Sequence, residues 1–150
     1  MNVKQLSDNI KYDDILERNT IDGKIQWAKI ALFETLPPCF IEEHFDKLKN
    51  LGIEKNQNLD ESFIALHGRS LNWYSLLKYQ NLSEDTLKKF LDHITKLSLW
   101  PLLLKTQNVS YQFLIDNLSS FKDNKLARSA IMQNGSLSDS IKEKICSFLL

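Results

Sequence analysis

The stretch from Asn72 to Leu87, NWYSLLKYQNLSEDTL, decides how the chain is read. Trp73 opens it, Gln80 stands seven residues later, and Leu82-Ser83-Glu84 follows at once. A set of polar and aromatic residues this specific is either a binding site or a structural element that recurs. It recurs. Gln57-Asn58-Leu59-Asp60-Glu61 matches Gln80-Asn81-Leu82-Ser83-Glu84, and both match Gln107-Asn108-Val109-Ser110. Trp100 precedes Gln107 by the same seven residues, and Trp27 precedes Glu34 by seven, so an earlier copy has Glu in place of Gln. QNGSLSDSI (Gln133 to Ile141) reads as a later copy with one residue inserted, and QLSDNI (Gln5 to Ile10) as a half-copy.

Within each copy the apolar spacing is helical. Asn72 is placed to cap a helix running to about Gln80, with Trp73, Leu76 and Leu77 on one face. Ser83 caps the next helix, with Glu84 and Asp85 in a first turn where the helix dipole favours negative charge. Leu87, Phe90, Leu91 and Ile94 form its buried stripe, and Leu82 packs against it from outside the cap. Ser98 is the expected cap of the following helix, with Pro101 in a first turn that tolerates a missing N–H. Pro37-Pro38 stops the first helix of the earliest full copy. Ser7, Ser110 and Ser138 also read as caps. The repeated Gln is suited to bonding the backbone at a neighbouring copy's corner.

The expected fold is therefore all-α: tandem helical-hairpin repeats of about 23–27 residues, stacked as a small α-solenoid or compact helical array. A single repeat domain spans 1–150, with repeats at 24–48, 49–69, 70–96, 97–122 and 123–150 and a capping segment over 1–22. A leucine-rich repeat has an overlapping period of about 20–29 residues, but its L-x-x-L-x-L strand is absent and a helix cap follows each Gln.

The W-x6-Q-x-L-S-E pattern resembles the short helical repeats common in proteins of tailed phages and large DNA viruses. There a Trp-containing half is followed by Q-x-L-S-E-x-F/L-I. The resemblance covers about residues 24 to 120 and extends weakly over the last 30. The chain departs from it at Glu34, at Asn50 where a Trp would fall, and throughout the last copy. The resemblance implies an interaction module, in phages one that binds and modulates a host factor, and it implies no catalytic residues.

Composition narrows the classes of function. Nineteen basic residues balance nineteen acidic ones, which argues against a mainly electrostatic partner such as duplex DNA or an anionic membrane. The longest apolar run, LWPLLL, is far short of the about 20 residues of a membrane span. The first residues hold no apolar signal segment. Cys39 and Cys146 are far apart and outside any CxxC spacing, so two free thiols in a reducing cytoplasm are expected.

Catalytic chemistry finds little support. His44 and His67 share one copy position, but the later copies hold Phe90 and Asn117 there, and no Cys or carboxylate cluster supplies further metal ligands. The cysteines lack an activating motif. Glu42-Glu43 and Glu84-Asp85 are sequence neighbours, about 100° apart around a helix, and do not converge on one atom. The four glycines are isolated and form no phosphate loop. No enzyme, cofactor or metal is expected.

Aromatic residues off the core stripe are the candidates for partner binding: Tyr74, Tyr79, Phe33 and Tyr111, with Phe33 and Tyr79 at one copy position. The expectation is a non-enzymatic protein–protein interaction module, a phage or viral accessory protein acting on a host protease, nuclease or defence complex in the host cytoplasm. Two alternatives stand beside it. One is a nucleic-acid-associated regulator, if Lys122, Lys125, Arg128, Lys142 and Lys144 share a concave face. The other is a self-assembling component, because the apolar end ICSFLL requires burial in the fold or in a partner.

Overall fold

A computed structural model describes residues 12–149; the caps and half-copy read at Gln5 to Ile10, Ser7 included, lie outside that range. The described residues are mostly helical, with one small antiparallel hairpin. The chain divides into two compact units at the Asp60–Glu61 boundary.

The N-terminal unit runs from α1 (residues 12–18) into a hairpin, then through α2 (Trp27–Phe33), α3 (Pro38–Glu43), α4 (Phe45–Leu48) and α5 (Ile53–Asn56). The hairpin pairs β1 (Thr20–Ile21) with β2 (Lys24–Ile25). Asp22 and Gly23 join them with φ of 51° and 74°, the left-handed geometry that a two-residue turn between twisted strands requires. Among the described residues it is the one β element.

The C-terminal unit holds α6 (Glu61–His67), α7 (Trp73–Tyr79), α8 (Glu84–Lys89), α9 (Leu91–Lys96), α10 (Trp100–Thr106), α11 (Tyr111–Asp116), α12 (Leu118–Phe121), α13 (Ala127–Gln133) and α14 (Asp139–Cys146). Helices of four to eight residues are far too short to be stable alone. Their stability comes from packing. α10 lies against both α7 and α13, and α14 packs on α11 and α13.

α7, α10 and α13 are each seven residues long and begin 27 residues apart. They bury the same positions: Trp73, Leu76 and Leu77; Trp100, Leu103 and Leu104; Ala127, Ala130 and Ile131. The residue two after each Gln, or after Glu34, is buried as well: Leu36, Leu59, Leu82 and Val109. Burying a side chain of this size contributes about 1.5–3 kcal/mol. Trp73 and Trp100 are core residues that donate their indole N–H to Gly68 O and Thr95 Oγ1, each at 2.8 Å. Trp27 is only half-buried.

Of the five side-chain caps expected on described helices, four form. Asn72 accepts from Ser75 N–H at 3.0 Å, Ser83 from Thr86, Ser110 from Phe113 and Ser138 from Ile141. Pro37 and Pro38 sit at the N-cap and first turn of α3, and Pro101 in the first turn of α10. Ser98 does not cap α10. It has φ of 56° and closes α9 from behind: its N–H donates to Thr95 O and that of Leu99 to Ile94 O, each at 3.0 Å. This is a Schellman ending with Ser where Gly is usual.

The second helix, expected as one continuous segment, is unbroken in the last copy (α14) but is interrupted or cut short in the earlier ones. The breaks fall at His44 (φ −110°, ψ 18°), Phe90 (−120°, 14°) and Asn117 (−108°, 7°), and α6 ends the same way at His67 (−104°, −1°). These four residues occupy the one copy position that raised the question of a histidine site. All four residues sit in the sparsely populated bridge region of the backbone. His44 packs against Trp27 with tilted rings and centroids 5.1 Å apart, and Phe90 against Trp73 at 4.9 Å. Leu91, just past the break, is half-buried and not core.

Candidate interaction surface

The recurring polar residues are used on backbone. Gln57 Nε2 donates to Ala31 O (3.1 Å) and Glu34 O (2.8 Å), and its Oε1 accepts Leu36 N–H (2.9 Å). Gln107 repeats the constellation two copies later, on Leu77 O (2.7 Å), Gln80 O (2.9 Å) and Leu82 N–H (3.0 Å). In the last copy the register residue is Asn134 and not Gln133. Asn134 Nδ2 reaches Leu104 O (2.7 Å) and Gln107 O (2.9 Å), while its shorter side chain turns Oδ1 to its own Ser136 N–H. Gln133 instead bonds Ser129 Oγ. Gln57, Gln107 and Asn134 are all buried, where an unmade amide bond would be expensive.

Carboxylates make a second recurring set of bonds within the C-terminal unit. Glu61 accepts from both the N–H and the hydroxyl of Ser83, and Glu84, its equivalent one copy on, accepts Ser110 N–H. The Ser83 bonds hold the Glu61 carboxyl below its ordinary pKa. Glu84 is thus a backbone tie between copies as well as a first-turn acid.

At the Gln position of the earliest full copy, Glu34 binds outward. Arg18 Nε donates to it at 3.0 Å, Arg18 Nη2 makes the second arm, and Asn19 Nδ2 donates at 2.7 Å. Those bonds, Arg18 first, bring the Glu34 pKa down to about 2. Arg18 also pairs with Asp14.

The histidines are packed against rings. His44 lies 4.5 Å from Phe40 as well as on Trp27, His67 is 4.6 Å from Phe63, and His93 meets the Trp73 edge at 6.3 Å. Among the described residues no group of three His, Cys, Asp or Glu side chains is placed to hold a metal ion. Cys39 and Cys146 are free thiols, the first exposed and bonded by the Tyr12 hydroxyl, the second buried.

Of the four aromatic candidates the structure brings two together. Tyr74 and Tyr79 are exposed on α7, and Lys78 Nζ lies 5.7 Å and 5.3 Å from their ring centroids, within cation–π range. Phe33, on α2 of the N-terminal unit, is 78% exposed, the most open large apolar side chain among the described residues. Tyr111 is half-buried, with Lys144 Nζ 5.9 Å over its ring, and so faces α14. At the carboxyl end Ile145, Cys146 and Leu149 are buried within the fold, whereas Phe148 is exposed. No helix among the described residues is long and apolar enough to cross a membrane.

Two clefts flank α10. One, of about 350 Å³, is lined by Lys78, Tyr79, Gln80, Asn81, Thr106 and Asn108, among others. The other, of about 300 Å³, lies between α10 and α13 against Leu102, Lys105, Leu126, Ser129 and Ala130. Sequence reasoning missed the second. Its signal was the loss of bulk in the last copy: Ser129 and Ala130 stand where α10 has Leu102 and Leu103.

No protein-family model matches this chain, and no solved structure matches it.

Proposed function

We propose that the chain is a tandem array of short helical hairpins acting as a non-enzymatic protein-binding module. In keeping with its resemblance to phage and viral repeat proteins, it serves as an accessory protein that binds and modulates a host protein such as a protease, nuclease or defence complex. The observation that carries this reading is a division of labour. Gln57, Gln107 and Asn134 bond backbone of the preceding copy, and Glu61 and Glu84 accept backbone N–H groups of the following one, while Phe33, Tyr74, Tyr79, Leu126 and Met132 are exposed. Exposed tyrosines suit protein recognition because they offer large contact area at little conformational cost. Affinity capture from host lysate followed by mass spectrometry tests the proposal. It should enrich one specific protein, and a chain carrying Tyr74→Ser and Tyr79→Ser should retain less of it. Capture that enriches nothing across several candidate hosts would refute the reading.

A further inference from the structure

α7, α10 and α13 lie side by side and carry Lys78, Lys105 and Arg128 but no acidic residue. The linings of the two clefts flanking α10 likewise contain lysines, amides, hydroxyls and apolar groups, and no Asp or Glu. In a chain whose charges balance, that segregation is a property of this face. The acids of the same unit sit on the other helices, at Glu61, Glu84, Asp85, Asp92, Asp116, Asp139 and Glu143. The turn before α13 adds Lys122 and Lys125 against Asp123.

The common register sets the pattern on the face. Because the three helices bury the same positions, their outer residues form rows: Tyr74, Pro101 and Arg128, then Lys78, Lys105 and Met132. Arg128 is anchored by one bond from Nη1 to Cys146 O at 3.4 Å. The groove beside Lys105 exists because α13 has Ala130 where α7 and α10 have leucine. Leu126 and Met132 add exposed apolar surface on the same helix and its N-cap, and a Met side chain adapts readily to a partner's shape.

We infer that this face receives a negatively charged segment of a partner protein that also carries large apolar side chains. Its carboxylates lie against Lys78, Lys105 and Arg128, and one of its apolar side chains fills the groove between α10 and α13. The inference rests on the protein-binding reading above and gives that reading a location and a ligand chemistry. A single-stranded nucleic acid is the less suited occupant. Three cations neutralise few phosphates, and Lys142 and Lys144 are engaged elsewhere, with Asp139 and the Tyr111 ring.

The test titrates the full chain with a fluorescent synthetic amphipathic helix that has leucines on one face and glutamates beside them. The same peptide with lysine for glutamate and an oligothymidylate are the competing probes. The acidic peptide should bind, more weakly as salt rises, and should lose at least about tenfold in affinity in K105E/R128E and in S129W, which fills the groove. K96E, a charge reversal on α9, should bind as the parent does. Equal binding of the basic peptide, tighter binding of the oligonucleotide, indifference to K105E/R128E, or no binding of the acidic peptide overturns the inference. Lysate capture separates the two levels: a partner held equally by the parent and K105E/R128E removes this face but preserves the protein-binding reading.

Discussion

Gln107 holds the backbone on both sides of Gln80, donating to the Leu77 and Gln80 carbonyls and accepting the Leu82 N–H, all within 3.0 Å. The chain turns from α7 toward α8 at this point, and such a turn has carbonyls and N–H groups left over from the helix end. A primary amide is the one neutral side-chain group that supplies two donors and an acceptor together. Gln107→Leu keeps the volume and removes all three bonds. Thr106 Oγ1 still donates to Leu77 O, while the Leu82 N–H loses the buried acceptor that Gln107 gives it. Loss of that buried bond should lower unfolding stability by about 1–3 kcal/mol, read as a fall in the urea midpoint.

Gln107→Glu makes a sharper test, because its effect depends on pH. The carboxylate would face two carbonyls in a buried position, which raises its folded pKa above the unfolded value of about 4.3. Protonated, it can donate to one carbonyl. Relative to the parent, the variant should therefore be most stable below pH about 4.3 and lose stability as pH rises through its folded pKa. Urea unfolding against pH, compared with the parent, reads this directly. A stability difference independent of pH would place the side chain outside the bonds assigned to it.

Much of the architecture was legible because it rests on chemistry confined to a few residues. Caps at Asn72, Ser83, Ser110 and Ser138 announce themselves by an oxygen-bearing residue before an apolar stripe, and the Gln bonds by recurrence at fixed spacing. The hairpin at Thr20 to Ile25 carried its signal in Asp22-Gly23, but each strand is only two residues long and shows no alternation. The helix breaks were illegible for a different reason. The bridge conformation accepts His, Phe and Asn alike, so the shared position looked like a histidine pair and not like a turn. Ser98 misled because a Ser before an apolar helix reads as an N-cap, and nothing local says that its φ is positive. The exposed Tyr74–Lys78–Tyr79 cluster could be named from the sequence, whereas the α10–α13 groove depends on which helices become neighbours.

Ser98 offers a stabilising substitution. A left-handed conformation costs an L-residue about 1–2 kcal/mol, and Gly avoids most of that at the expense of unfolded-state entropy. Ser98→Gly should raise stability by about 0.5–1 kcal/mol and Tm by a few degrees. Ser98→Ala should not, since it keeps the strained backbone. Differential scanning calorimetry of both variants decides between a Schellman ending and a capping role for the Ser98 hydroxyl, because the capping role predicts that both lose stability.

Acid should weaken the N-terminal unit through Glu34. Its carboxylate is held near a pKa of about 2 by Arg18 and Asn19, against an ordinary value of 4.5. A depressed carboxylate contributes stability that is present above the unfolded pKa and lost as pH falls toward the folded one. Melting temperature should therefore fall between pH about 4.5 and about 2. Glu34→Gln should flatten that fall but not abolish it, because Glu61, also lowered by its Ser83 bonds, titrates in the same direction. An unchanged slope in Glu34→Gln would remove the Arg18 pairing from the account of acid stability.

Gly68 is the last position where one atom should matter. A Cβ placed there would lie 2.5 Å from Phe90 Cζ, and the Phe90 ring is itself buried and packed against Trp73. Trp73 in turn donates to the Gly68 carbonyl, so glycine, Trp and Phe form one packed corner. Gly68→Ala must move either the ring or the backbone that the indole holds, a strain of about 1–3 kcal/mol. Phe90→Leu alone loses ring packing on Trp73. Combined with Gly68→Ala it also removes the clash, so the double variant should be more stable than the sum of the two single effects. A double-mutant cycle by urea unfolding should give a coupling of at least about 0.5 kcal/mol. Simple additivity would mean that the close approach of Phe90 to Gly68 is not what requires glycine there.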